Sequence, residues 1–117
     1  MSAGNVGRAG RIAGGIAALS RWIDAGQGDR DPEAILWGRV SKVTEEAGEA
    51  IAALIGATGQ NPRKGYTHDH MDVVQELLDV AITALGAVEH MTGNTGKSVR
   101  LLDAKVANVV QRAGVNT

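Results

Sequence analysis

A chain with no phenylalanine, one tyrosine and two tryptophans has to build its interior from alanine, valine, isoleucine and leucine. Such small side chains let helices approach closely, but each offers little area to bury. At 117 residues the chain has the length of one domain. A domain of this size buries only about two-thirds of its unfolded surface. The core is therefore thin, which points to an oligomer in which a second copy covers what one chain leaves bare.

The apolar residues that are present recur with a helical period. Ile12, Ile16, Leu19 and Ile23 share one face of a helix over about 11–25, which Gly26 and Gly28 end. Asp31 has the character of an N-cap, with Pro32 at the first helical position and Glu33 in the first turn. That second helix runs to about Ile55 and stops near Gly56 or Gly59. Residues 56–67 read as a polar loop rich in turn formers. A third helix starts near Thr67 or Asp69 and runs to about Met91, where Gly93, Asn94 and Gly96 break it. A fourth covers about 97–113 and carries Val99, Leu102, Val106 and Val109 or Val110. No alternating β-branched stretch stands out as a strand. The pattern predicts an all-α fold, four helices in an antiparallel bundle-like arrangement. Residues 1–10 are expected to form a flexible Gly-rich tail and residues 11–117 a single helical domain.

Charge narrows the function. The net charge is −1 and charged residues make up 21%. That balance argues against a nucleic-acid partner, which calls for a basic patch. There is no cysteine, hence no disulfide framework and no cysteine-based zinc site. No apolar run approaches the ~18 residues of a membrane span. Arg8 and Arg11 are not followed by an apolar block, so no secretory signal is read and the cytoplasm is the expected location. Gly4, Gly7 and Gly10 lack the preceding strand and following Gly-Lys-Ser/Thr of a phosphate loop.

The chemistry-bearing residues lie on the second and third helices. Glu46 and Glu49 are three apart and share a helical face, as do Glu76 and Asp79. Glu49 leads into Ala-Ile-Ala-Ala-Leu-Ile, and Asp79 into Val-Ala-Ile-Thr-Ala-Leu-Gly-Ala-Val. Carboxylates at the entry to such apolar segments are expected to face inward, toward one another. Four converging carboxylates repel and raise each other's pKa. A hard divalent cation removes the conflict, and magnesium takes oxygen ligands while keeping room for water and phosphate oxygens. The bland alternative is a solvated acidic string in which Lys42 pairs with Glu45, Glu46 or Glu49. A di-iron bundle is set aside because it needs two Glu-x-x-His motifs and the chain has none.

Glu45-Glu46-x-x-Glu49 followed by Glu76-x-x-Asp79, with 26 residues between Glu49 and Glu76, resembles the signature of MazG-like all-α nucleoside triphosphate pyrophosphohydrolases. The resemblance covers roughly residues 35–113. Lys42, the loop from Thr58 to Gly65, and Lys105, Asn108 and Arg112 look like a branch of that family found in actinobacteria and phages, including the phage MazZ type. The spacing from Lys105 to Asn108 departs slightly from the commoner pattern.

The resemblance implies a dimeric or tetrameric MazG core in the cytoplasm of a bacterial cell or phage-infected host. It also implies hydrolysis of a (d)NTP to (d)NMP and pyrophosphate, controlling or cleansing the nucleotide pool. Magnesium, for which manganese can substitute, would sit on Glu46, Glu49, Glu76 and Asp79. Glu45 would act on the attacking water or hold an outer position, with Glu46 beside it in the catalytic set. Lys42, Arg63, Lys64, Lys105, Asn108 and Arg112 would meet the substrate. Trp37, like Trp22, offers a stacking surface for a base or serves the core or an interface. His68 and His70 read as capping or solvent-exposed groups rather than metal ligands, and His90 as a cation at a helix C-terminus. A deoxypurine such as dGTP, or GTP, is the expected substrate. The competing expectation is a helical, oligomeric interaction module that keeps the fold without turnover.

Overall fold

The computed structural model describes residues 3–117 and consists, among them, of four helices with no strand. Helix α1 spans Ala3–Ala25, α2 Pro32–Thr58, α3 His70–Thr92 and α4 Lys97–Ala113. None of them is long and apolar enough to cross a membrane. Helix α1 begins well before the start near residue 11 that its apolar face suggests. The stretch from Ala3 to Gly10 is thus helical rather than a tail; the part of that expectation concerning Met1 and Ser2 lies outside the described residues. Glycine weakens a helix by about 0.5–1 kcal/mol per residue relative to alanine but does not forbid it. The helix is anchored further along, where Ile16, Ala17 and Ser20 are buried.

The helix ends follow local chemistry. The Asp31 carboxylate accepts the Ala34 N–H at 3.1 Å, and Pro32 opens α2. Helix α2 ends at Gly59, whose φ of 63° is the left-handed value glycine adopts freely. The following loop folds back on that end. The Thr67 N–H donates to the Gly56 carbonyl at 3.1 Å, and the Tyr66 ring lies against Gly59. Asp69 and Asp72 form a reciprocal capping box at the start of α3, both bonds 2.9 Å.

The start of α4 is capped from elsewhere. Gly96 and Ser98 direct their N–H groups at the two Glu89 carboxylate oxygens, at 2.9 and 2.8 Å. Glu89 is fully buried. Burial alone would raise its carboxyl pKa. Interactions with Ser98, the Gly96 N–H and the Arg21 guanidinium outweigh burial and hold it below the ordinary glutamate value.

Helix α3 is the hub. It packs against each of the other three, whereas α1 and α2 do not approach at backbone distance, nor do α2 and α4. The antiparallel bundle expected from the sequence is therefore open along one side. Arg39 bridges the gap. Its guanidinium reaches Asp24 of α1 at 2.7 Å, Ser20 at 2.8 Å and the Gly86 carbonyl of α3 at 2.9 Å. His90 and Asn94 each reach the same Asp24 carboxylate at 2.9 Å. Burial opposes the charge on Asp24, but these partners win and keep its pKa below the usual value. His90 lies in the last turn of α3 as expected, and its ring is committed to Asp24 as well as to the helix end.

The buried apolar core is Ile16, Ala17, Ala50, Ala53 and Ala87. Leu54, Leu77, Leu78, Ile82, Leu102 and Val106 stay exposed. Trp22 and Trp37 are 75% and 69% exposed, so neither belongs to the core of a single chain. The radius of gyration is 17.2 Å, against about 13 Å for a compact domain of this length.

Candidate metal centre

The register of α2 against α3 makes the site. Arg39 meets Gly86 near one end of the pair, and Gly56 meets Thr67 just beyond the other. The helices therefore run antiparallel, and the intervening turns set Glu46 and Glu49 opposite Glu76 and Asp79. Gly56 permits the close approach at the far end, because a Cβ there would collide with the Thr67 hydroxyl and the His68 ring.

Three of the four expected carboxylates converge. Glu46, Glu49 and Glu76 each present an oxygen, and these oxygens lie within 4.8 Å of one another. Oxygens around a magnesium ion stand about 3–4.2 Å apart at its usual 2.0–2.1 Å ligand distance. A small contraction would close the set on a cation. The donor chemistry fits a hard ion: all oxygen, all anionic, no sulfur or imidazole. One atom fits it especially well. Glu76 Oε2 is buried and has no hydrogen-bond partner. A buried oxygen with no protein donor is costly unless something else satisfies it.

The electrostatics carry the strain of that convergence. Glu46 is half-buried. Desolvation, then the nearby charge of Glu49, push its pKa above the ordinary glutamate value. Lys42 pulls it back, while Asp79 and Glu45 add to the rise. Asp79 is exposed and stands outside the converging trio, although its charge still acts on Glu46. The expected quartet is thus a trio with a fourth acid close by.

The other expected residues are placed unevenly. Lys42 Nζ lies 3.0 Å from Glu45 and 3.9 Å from Glu46, so the pairing weighed as the bland alternative does form. Those contacts lift the Lys42 pKa, with the Glu45 hydrogen bond foremost. Glu45 itself is exposed. Trp37 projects from α2 into solvent. Arg63 and Lys64 are exposed in a loop that closes on the last turns of α2, two turns beyond Glu49. Lys105, Asn108 and Arg112 are exposed on α4, whose backbone does not approach α2. Within one chain they are not gathered at the carboxylates. His68 is exposed and shares a 2.9 Å hydrogen bond with Thr67; neither it nor His70 joins the cluster.

Sequence reasoning missed Asp24, Arg39 and Glu89, the charged residues that tie the helices together. An isolated Arg or Glu on a helix carries no sign of burial. The only available signal was Glu89 standing one turn before the Gly-Asn-Thr-Gly break, within reach of the next helix start. Comparison with family models, with characterised proteins and with solved structures finds no match for this chain.

Proposed function

We propose that the chain is a MazG-like, magnesium-dependent nucleoside triphosphate pyrophosphohydrolase. The observation that carries the reading is the convergence of Glu46, Glu49 and Glu76, with one Glu76 oxygen, Oε2, buried and unpartnered. A surface ion-pair string would leave no such atom.

In this reading Glu46, Glu49 and Glu76 would hold the ion, with Asp79 within electrostatic reach. Magnesium, or manganese in its place, would supply there the positive charge that offsets the phosphates and makes water a better nucleophile. The chain's own groups do the rest. A water oxygen attacks the α-phosphorus, the bond from that phosphorus to the bridging oxygen breaks, and pyrophosphate leaves with the electron pair. Glu45, adjacent to the trio and exposed, accepts the water proton. Lys42 turns its ammonium from Glu45 toward the phosphates, where it offsets their charge. Phosphoryl transfer asks mainly for such positioning and charge neutralisation.

The functional unit in this proposal is a homodimer or homotetramer. Exposed Leu54, Leu77, Leu101, Leu102 and Val106 support that. Lys105, Asn108 and Arg112, exposed on α4, would then meet the carboxylate trio of another copy. The setting is the cytoplasm, where triphosphates are found, and dGTP or GTP is the proposed substrate.

A panel of canonical and modified triphosphates, assayed for pyrophosphate release, tests the activity. Release should need magnesium, stop with chelator, and fall at least about a hundredfold in Glu49→Ala and Glu76→Ala, as for groups acting on a metal centre. If no triphosphate turns over, or if these variants keep full activity, the chain is a non-catalytic helical assembly module instead.

A further inference from the structure

Because α1 and α2 splay apart over α3, they enclose a groove of about 510 Å³. That volume lies within the roughly 300–1,000 Å³ of small-molecule sites. Leu19 and Ile23 of α1, Ile35 of α2 and Ile82 of α3 make its walls apolar. Along α2 the lining runs from Ala34 to Lys42, which is about 12 Å of helix at 1.5 Å per residue. The two ends are chemically different. Lys42 belongs to the groove and also touches Glu45 and Glu46, so this end opens onto the carboxylate cluster. Gln27 and Arg30, in the connection between α1 and α2, form the other end. There Arg30 Nη1 donates to Gln27 Oε1 at 2.9 Å.

That bond orients the guanidinium and occupies one of its five N–H donors, leaving the others for a ligand. Arginine has no acceptor, so this end of the groove recognises carbonyl oxygens and unprotonated ring nitrogens. A nucleotide with its phosphates at the carboxylates would lay its base between the apolar walls with the far edge at Arg30. Guanine offers O6 and N7 together to such donors, and thymine or uracil offers O4; adenine keeps N7 but sets its N6 amino group where guanine has O6, and cytosine sets an amino group where thymine has O4, so each places a donor against a donor. The buried guanidinium of Arg39 does not compete for this role, because Asp24, Ser20 and Gly86 already engage it.

We propose that this groove is the base-selecting part of the site, and that Arg30, oriented by Gln27, makes the chain prefer keto-base nucleotides over amino-base ones. The inference rests on the activity proposed above. Its test compares kcat/KM for dGTP against dATP, and for dTTP against dCTP. The wild type should favour the keto base by about tenfold or more in each pair, the usual worth of one well-placed arginine contact. Arg30→Ala should bring both ratios close to one, acting mainly through KM, and Arg30→Glu should favour the amino bases. An Arg30→Ala ratio equal to the wild-type ratio would overturn the proposal. So would a change in the chain's solution mass in that variant, which would show the groove covered by a second copy. Failure of the activity is a separate outcome, seen as no turnover of any triphosphate by the wild type. In that event calorimetry with dGMP and dAMP still decides the groove: tighter dGMP binding that Arg30→Ala abolishes supports it, and equal or absent binding refutes it.

Discussion

Glu46 and Glu89 are both glutamates on helices, yet their surroundings give them opposite effects on stability. Glu46 has a raised pKa, so between its unfolded and folded values the native state binds more protons than the unfolded one. Its contribution to metal-free stability therefore falls as pH rises through that window. Glu46→Gln should raise the melting temperature of the metal-free protein at neutral pH, and the gain should shrink toward acid pH. A variant less stable than wild type at neutral pH would reveal a structural ion pair rather than a strained acid. Glu89 has a lowered pKa. Its stabilisation is present above the ordinary glutamate range and is lost as pH falls through its folded value. Glu89→Ala leaves the buried Ser98 N–H and the part-buried Gly96 N–H unpaired and should cost about 1–3 kcal/mol. Thermal melts of both variants across pH would separate the two behaviours.

Among the helices, some glycines mark where a neighbouring side chain lies against the backbone and others do not. Gly56 has the Thr67 and His68 side chains where a Cβ would go, and Gly59 combines a left-handed φ with the Tyr66 ring. Alanine at either should destabilise by at least about 1 kcal/mol, since overpacking and φ strain both cost that much or more. Gly56→Ala should also lower magnesium affinity, because it pushes α3 away from α2 just beyond the carboxylates. Gly14 lies inside α1 with open space around its Cβ position. Gly14→Ala should instead stabilise by about 0.5–1 kcal/mol through helix propensity. Equal melting temperatures for these variants would mean that the packing of the loop against α2 is not holding the register. The N-cap of α2 was legible in the sequence because Asp31 acts within three residues of itself, and the start of α3 was legible to within Thr67 or Asp69, of which Asp69 is the cap. The cap of α4 was not, because Glu89 reaches it across a turn.

At the scale of the molecule, the chain leaves many large apolar side chains exposed, which the proposed assembly would cover. Sedimentation should give the mass of two or four chains at micromolar concentration. Trp22 and Trp37, both exposed in one chain, provide a second readout. Their emission should shift to the red on dilution as indole rings leave an interface for water. A single-chain mass with red emission at every concentration would rule the assembly out, and with it the delivery of Lys105, Asn108 and Arg112 to a neighbouring carboxylate trio.

The sequence alone determined the helical class, nearly all the helix ends, and the pairing of Glu46 with Glu49 and Glu76 with Asp79 on common faces. Those features depend on period and capping, which act over one or two turns. Tertiary structure alone decided that Glu46, Glu49 and Glu76 converge while Asp79 stays outside, and that Glu76 Oε2 is buried without a partner. It also decided that Arg39 spans the gap that becomes the groove. These outcomes depend on how α2 registers against α3 and on which side of α3 stays uncovered. Contacts between residues distant in the chain set both, and no local pattern records them.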